Sequence, residues 1–224
     1  MTSKSRSSRR EAARQRERSA SGAKWLLPAA GLVIAAVAVI AIVLSQGGSG
    51  SSASAAPTVL TGPPTITGTA LPKFSQTLGD TAKGLAAPVV AGHDYSGSPV
   101  GIAPNGKPTF VIFAAHWCPH CQREIPLIQA WIDKGGQPSD VNLVSVSTGI
   151  DPTAPNYPPA DWFKQVGWTV PIIDDPTNTV ANAYGLSGYP FFVLLDGKGN
   201  VAARMSGEIP INDIESLLAA VPRS

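Results

Sequence analysis

The chain places its only two cysteines in one short stretch, Trp117-Cys118-Pro119-His120-Cys121, directly after the apolar run Phe110-Val111-Ile112-Phe113. The run reads as a buried strand, and a proline after Cys118 suits the first position of a helix, where its missing N–H would have no partner in any case. The stretch therefore demands a strand that hands the chain to a helix, with Cys118 at the helix cap and Cys121 one turn further on. A sulfur at that cap faces unpaired N–H groups and the positive end of the helix dipole, which favour its thiolate and make it the attacking species. Cys121 can reach back to resolve a mixed disulfide, so the pair cycles between dithiol and disulfide without a cofactor. The pattern reads as a device for moving two electrons by thiol–disulfide exchange.

Three plainer readings compete. A structural zinc site takes four Cys or His ligands, and this sequence has no second Cys-x-x-Cys and no histidine after His120. No metal is expected. A disulfide closing so small a ring restrains the unfolded chain little, which argues against a purely structural staple. Two ordinary buried thiols leave the Trp-Cys-Pro-His-Cys order unexplained.

Residues 1–24 carry eight Lys or Arg, from Lys4 to Lys24, against two Glu, and show no apolar periodicity. A solvated tail or a nucleic-acid arm has this composition, but basic residues directly before a hydrophobic span are better explained as an orientation signal. No nucleic-acid partner is expected. Residues 25–44 form that span: Leu26 to Leu44 contains no charge, and as a helix it covers about 28 Å, close to the hydrocarbon thickness of a bilayer. The reading is a single-pass anchor in a bacterial cell membrane, with the N-terminus cytoplasmic and the C-terminal part extracytoplasmic. A cleavable signal peptide competes, since Ala53-Ser54-Ala55 resembles a cleavage site, but the apolar stretch is long for one and the site lies well beyond its end.

Residues 45–72 are rich in Gly, Ser, Ala, Thr and Pro and read as a flexible tether with a random-coil span of roughly 30 Å. Residues 73–224 remain for one extracytoplasmic domain, long enough to bury a core without structural disulfides. Of 17 Lys/Arg and 15 Asp/Glu in the chain, the tail takes eight and two, which leaves nine and thirteen, a net −4, for residues 25–224. A mildly acidic domain disfavours a polyanionic partner and is neutral towards protein substrates.

Within that domain, Lys107–Phe113 reads as a strand apolar on both faces and Pro119 to about Asp133 as the next helix, with Pro126 as a kink. Val141–Ser147 is a second β-branched run, giving a strand-helix-strand crossover. Asp161–Gln165 reads as a short helix, Val170–Ile173 as a strand and Thr177–Tyr184 as a helix stopped at Gly185. Phe191–Leu195 and Val201–Met205 pair as a hairpin across Asp196-Gly197-Lys198-Gly199-Asn200. A closing helix, about Ile211–Val221, takes Asn212 as its cap with Glu215 three residues on. The sum is an α/β sandwich with a central mixed sheet.

Gly106-Lys107-Pro108, the Phe113–Cys121 stretch, Glu124-Ile125-Pro126, Asp174-Asp175-Pro176, Ala183-Tyr184-Gly185, Gly188-Tyr189-Pro190 and Asp196-Gly197-Lys198-Gly199 follow one another in an order that resembles the thioredoxin fold of the membrane-anchored TlpA/ResA branch. The resemblance covers roughly residues 85–221 and implies a thioredoxin-like sandwich. It also implies that Pro190 is the cis-proline facing the disulfide and that the Tyr189 backbone pairs with an extended substrate peptide; a trans proline opening a strand is the plain alternative. Glu124 matches the acidic residue that, in this branch, sits near the cysteines and helps proton transfer. An exposed Glu favoured by the helix dipole is the other reading.

His120 adds a polar or cationic group beside the Cys118 sulfur, and the same Pro-His dipeptide occurs in DsbA-type oxidases. Their potential is roughly −120 mV against about −270 mV for thioredoxin, a gap of about 7 kcal/mol for two electrons. The overall pattern points to reduction and the dipeptide to oxidation. Trp117 reads as an apolar shield and substrate platform, His116 as solvent-facing, His93 carries no assignment, and Trp131, Trp162 and Trp168 read as packing.

The expected activity is membrane-tethered thiol–disulfide exchange with protein substrates, recharged by a separate redox partner. A thiol peroxidase on the same fold is one alternative, although Ala115 stands where a peroxiredoxin has Thr. A copper-binding assembly factor is another, although its family resembles Cys-x-x-x-Cys with a downstream His.

Overall fold

Two stretches, Thr109–Ala114 and Phe191–Leu195, are buried at every residue. Strands covered on both faces belong at the centre of a layered fold. The computed structural model describes residues 62–223, and there these two strands, β4 (Thr109–Ala114) and β7 (Phe191–Leu195), pair antiparallel in the middle of a five-stranded sheet. Outside β4 lie β5 (Asn142–Ser147) and β6 (Ile172–Asp174), both parallel to it, and outside β7 lies β8 (Val201–Ser206), antiparallel. The order β6-β5-β4-β7-β8 makes the sheet mixed.

The period-2 alternation of β4 and β7 sorts their side chains into two cores. Phe110, Ile112, Phe192 and Leu194 pack under helices α1 (Pro119–Asp133) and α4 (Ile211–Ala220), with Ile125, Ile128, Ile214 and Leu218. Val111, Phe113, Phe191, Val193 and Leu195 face the other way, towards Val180, Ala181 and Tyr184 in and after α3 (Thr179–Ala183). Helix α2 (Pro159–Gln165) adds Trp162 and Phe163 to the first core. Pro126 lies inside α1 without ending it.

Several elements depart from expectation. A three-stranded antiparallel sheet precedes the central one: β1 (Thr65–Thr67), β2 (Val89–His93) and β3 (Pro99–Ile102). Ordered pairing therefore falls inside the stretch whose composition reads as a tether: Thr65–Thr67 pairs with Val89–Ala91, and Leu71 is buried and donates its N–H to the Ala183 carbonyl. Short strands containing Gly92, Gly101 and Pro99 give little periodic signal. Helix α4 starts after Pro210 with no side-chain cap, so Asn212 does not cap it; Glu215 instead accepts the indole N–H of Trp131 at 3.0 Å, joining α4 to α1.

One buried ion pair ties the segment before β2 to the sheet. Arg204 of β8, with its side chain fully covered, donates to Asp80 through Nε and Nη2 and to the carbonyls of Pro72 and Tyr184 through Nη1. Among the described residues no helix is long and apolar enough to cross a membrane. The span expected over residues 25–44, the basic tail and most of the tether lie outside the described residues.

Candidate active site

Strand β4 ends at Ala114, and the chain turns through Ala115, His116 and Trp117 into α1, where Cys118 is the N-cap and Pro119 the first helical residue. The expected strand-to-helix delivery is present. Both cysteines are free thiols, and they differ in environment. Cys118 keeps 5 % of its surface accessible; Cys121 has none. Burial pushes the Cys121 thiol well above its usual range, and the neighbouring Cys118 and Glu124 push in the same direction. Cys121 interacts directly with the Cys118 side chain. The outer sulfur makes no hydrogen bond to the helix N–H groups, contrary to the simplest capping picture; its partner is the Tyr189 carbonyl, 3.8 Å away.

The Tyr189–Pro190 peptide bond is cis, and Pro190 leads directly into β7. Tyr189 thus stands across from the cysteines. Its N–H has no hydrogen-bond partner among the described residues. Burial also raises the Tyr189 phenol above its usual pKa. The Trp117 ring meets the Tyr189 ring edge-on, centroids 5.8 Å apart, and its indole N–H donates to the Gly149 carbonyl at 2.6 Å. Gly149 is held by Asn178, whose Oδ1 accepts both the Gly149 N–H and the Thr148 hydroxyl at 2.7 Å. Gly149 has φ +63°, and a Cβ there would come within 2.5 Å of the Tyr189 hydroxyl. A glycine is required on both counts.

Glu124 is 2 % exposed, which overturns the surface reading of that residue. Its Oε1 accepts the Ile209 N–H at 3.2 Å. Burial lifts its carboxyl above the usual carboxylate range, partly offset by that hydrogen bond.

Two histidines stand otherwise than expected. His116 is fully buried rather than solvent-facing. Its Nε2 accepts the Asp151 N–H, which requires the proton on Nδ1, and Nδ1 donates to the Pro155 carbonyl at 2.7 Å. With its own carbonyl taking Gln122 and Asn156, His116 pins the 151–156 loop beside the redox pair. His120 does not bond the Cys118 sulfur; its Nδ1 pairs with Glu208, and Arg123 joins the same group. Glu208, Ile209, Asn178 and Gly149 carried no sequence signal, because they come from distant parts of the chain to hold His120, Glu124 and, through Gly149, Trp117. Among the described residues, no three His, Cys, Asp or Glu side chains are placed to hold a metal ion.

Residues 78–204, more than half of the chain, match the model of the AhpC/TSA family. The chain belongs to the AhpC/TSA family. This AhpC/TSA chain is 27 % identical over 149 residues to the thiol-disulfide oxidoreductase ResA of Geobacillus kaustophilus, covering 66 % of this chain and 80 % of that protein. It is 28 % identical over 120 residues to sporulation thiol-disulfide oxidoreductase A of Bacillus subtilis, covering 53 % and 71 %. Two solved structures share the fold: a thiol:disulfide interchange protein of Chlorobium tepidum, with TM-score 0.51, 24 % identity and coverage of 62 % and 97 %, and StoA from Bacillus subtilis, with TM-score 0.50, 24 % identity and coverage of 60 % and 98 %. The thioredoxin-like α/β architecture of this AhpC/TSA member is thereby established.

Proposed function

We propose that this thiol–disulfide oxidoreductase works outside the cytoplasm on protein substrates, held to a bacterial cell membrane by residues 25–44 and recharged by a separate redox partner. The anchor is supported by the uncharged run from Leu26 to Leu44 behind eight basic residues. The chemistry is supported above all by one observation: Cys118, the one thiol of the pair that keeps any surface exposed, lies against the Tyr189 carbonyl while its partner Cys121 is fully buried.

In the reducing direction, the Cys118 thiolate attacks one sulfur of a substrate disulfide; that S–S bond breaks, a substrate thiolate leaves, and a mixed disulfide forms. Cys121 then gives up its proton and attacks the Cys118 sulfur, releasing the second substrate thiol. The substrate gains two electrons and the enzyme holds the Cys118–Cys121 disulfide. Oxidation of a substrate dithiol is the same sequence reversed. In either direction the free Tyr189 N–H and its carbonyl give an extended substrate chain a backbone to pair with. Glu124, buried one turn beyond Cys121, is the group to take that thiol's proton.

A Cys121→Ser variant of the full chain tests the reading, because it stops the reaction at the mixed disulfide. Reducible adducts of Cys118 with exported proteins, recovered in a carbonate-washed membrane fraction, are the expected result. Absence of any such adduct, together with no disulfide exchange by the wild type, overturns the activity; adducts only with cytosolic proteins overturn the location. Rapid peroxide consumption without disulfide exchange would assign the peroxidase reading instead.

A further inference from the structure

Three consecutive residues in the β8–α4 connection each hold a different part of the redox site. The Gly207 N–H donates to the Pro190 carbonyl at 2.8 Å, the Glu208 carboxylate takes His120 and Arg123, and the Ile209 N–H donates to Glu124 at 3.2 Å. Gly207 has φ +93°, which lets the chain turn between the first bond and the second. The clasp reaches the cis-proline, the rim of the helix cap and the buried carboxyl within three steps of chain.

Its middle member is the informative one. Side-chain exposures of 58 % for His120, 56 % for Arg123 and 34 % for Glu208 mark an open ion-pair cluster, which contributes little to folding. What it does determine is where the His120 ring and the Arg123 guanidinium, two and five residues after Cys118, direct their hydrogen bonds. Arg123 donates to Glu208 through Nε and Nη2, and its Nη2 lies 2.8 Å from His120 Nδ1. Nδ1 cannot donate to Glu208 and accept from Arg123 at once. Both groups compete for one carboxylate, and neither bonds the sulfur.

We propose that Glu208 is a positioning residue that sets the oxidising strength of the Cys118–Cys121 pair, by drawing the His120 N–H and the Arg123 charge away from the Cys118 sulfur. A donor or positive charge at that sulfur favours the thiolate, stabilises the reduced pair and makes the disulfide a stronger oxidant. Glu208 therefore makes this Cys-Pro-His-Cys site a weaker oxidant than its dipeptide alone dictates. The proposal rests on the thiol–disulfide reading and names a group that tunes it. The charged and titratable groups around the site are His116 of the turn before α1, His120, Cys121, Arg123 and Glu124 of α1, Glu208 of the β8–α4 connection and Tyr189 of the turn before β7.

Full-length Glu208→Gln, which keeps the side-chain shape and removes the charge, is the direct test. The pH midpoint for alkylation of Cys118 should fall, and the equilibrium constant for reduction of the protein disulfide by glutathione should rise about threefold to tenfold, tenfold being about 30 mV for two electrons. In a His120→Ala background the same substitution should give less than half of that shift. His120→Ala alone should leave the midpoint nearly unchanged, because its N–H is already held by Glu208, an expectation that stands even if Glu208→Gln impairs folding. An unchanged midpoint and equilibrium in Glu208→Gln, an undiminished shift without His120, or a large shift from His120→Ala alone would each overturn the proposal. Alkylation is read without substrate, so failure to capture partners would sink the function and leave this test intact.

Discussion

The Cys118 sulfur stands 3.8 Å from the carbonyl oxygen of Tyr189, the residue whose peptide bond to Pro190 is cis. Residues 71 positions apart in the chain thus bring an attacking thiol and a peptide edge into one place. A substrate strand laid along Tyr189 would present its own sulfur to Cys118.

The two thiols should react unequally. With Cys121 buried and its thiol pushed up by desolvation, brief iodoacetamide treatment of the reduced protein near neutral pH should modify Cys118 alone. Peptide mass mapping checks this. Cys118→Ser should abolish disulfide exchange.

Glu124 should show its burial in both stability and rate. Its carboxyl binds a proton more tightly in the folded chain than in the unfolded one, so stability falls as pH rises from the unfolded pKa through the folded one. Glu124→Gln removes that loss: the variant should melt higher than wild type above the window and equally below it, read by thermal unfolding across pH. The same variant should resolve mixed disulfides about 100-fold more slowly, the general-base contribution at stake, read by quenched single-turnover kinetics.

Asn178 should act on substrate binding through Trp117. Its amide oxygen holds Thr148 and Gly149, and Gly149 holds the indole. Asn178→Ala should cost about 1–3 kcal/mol of stability by leaving the Gly149 N–H without its acceptor, and should raise KM for a peptide disulfide more than it lowers kcat. Gly149→Ala should be worse, since the new Cβ meets the Tyr189 hydroxyl.

Asp80→Asn leaves the covered Arg204 guanidinium without its counter-charge. Breaking a buried pair from one side costs about 3–5 kcal/mol, to be read from the denaturant midpoint at unchanged slope. Alkylation of Cys118 in the folded variant should be unaltered.

What the sequence disclosed was local. Pro119 after Cys118, the β-branched run into Ser147 and the Asp196–Asn200 turn carry their conformations in adjacent residues, so helix start, strand and hairpin were readable with ends displaced by a few residues. Glu208 and Ile209 were not readable. They touch His120 and Glu124 across 88 and 85 positions, and no spacing rule links residues so far apart. His116 misleads for a related reason: a polar ring next to a redox motif reads as exposed, whereas its burial depends on acceptors and donors from the 151–156 loop that satisfy each polar atom. The family resemblance supplied what spacing alone left open, the cis bond before Pro190.

The most direct measurement is a redox titration of the full-length protein in glutathione buffers, quenched with acid and read by intact mass and peptide mapping. The account predicts one two-electron transition between the dithiol and a Cys118–Cys121 disulfide, lost in either single serine variant. Persistence of two free thiols at every potential, or glutathione adducts on separate cysteines with no internal disulfide, would contradict it.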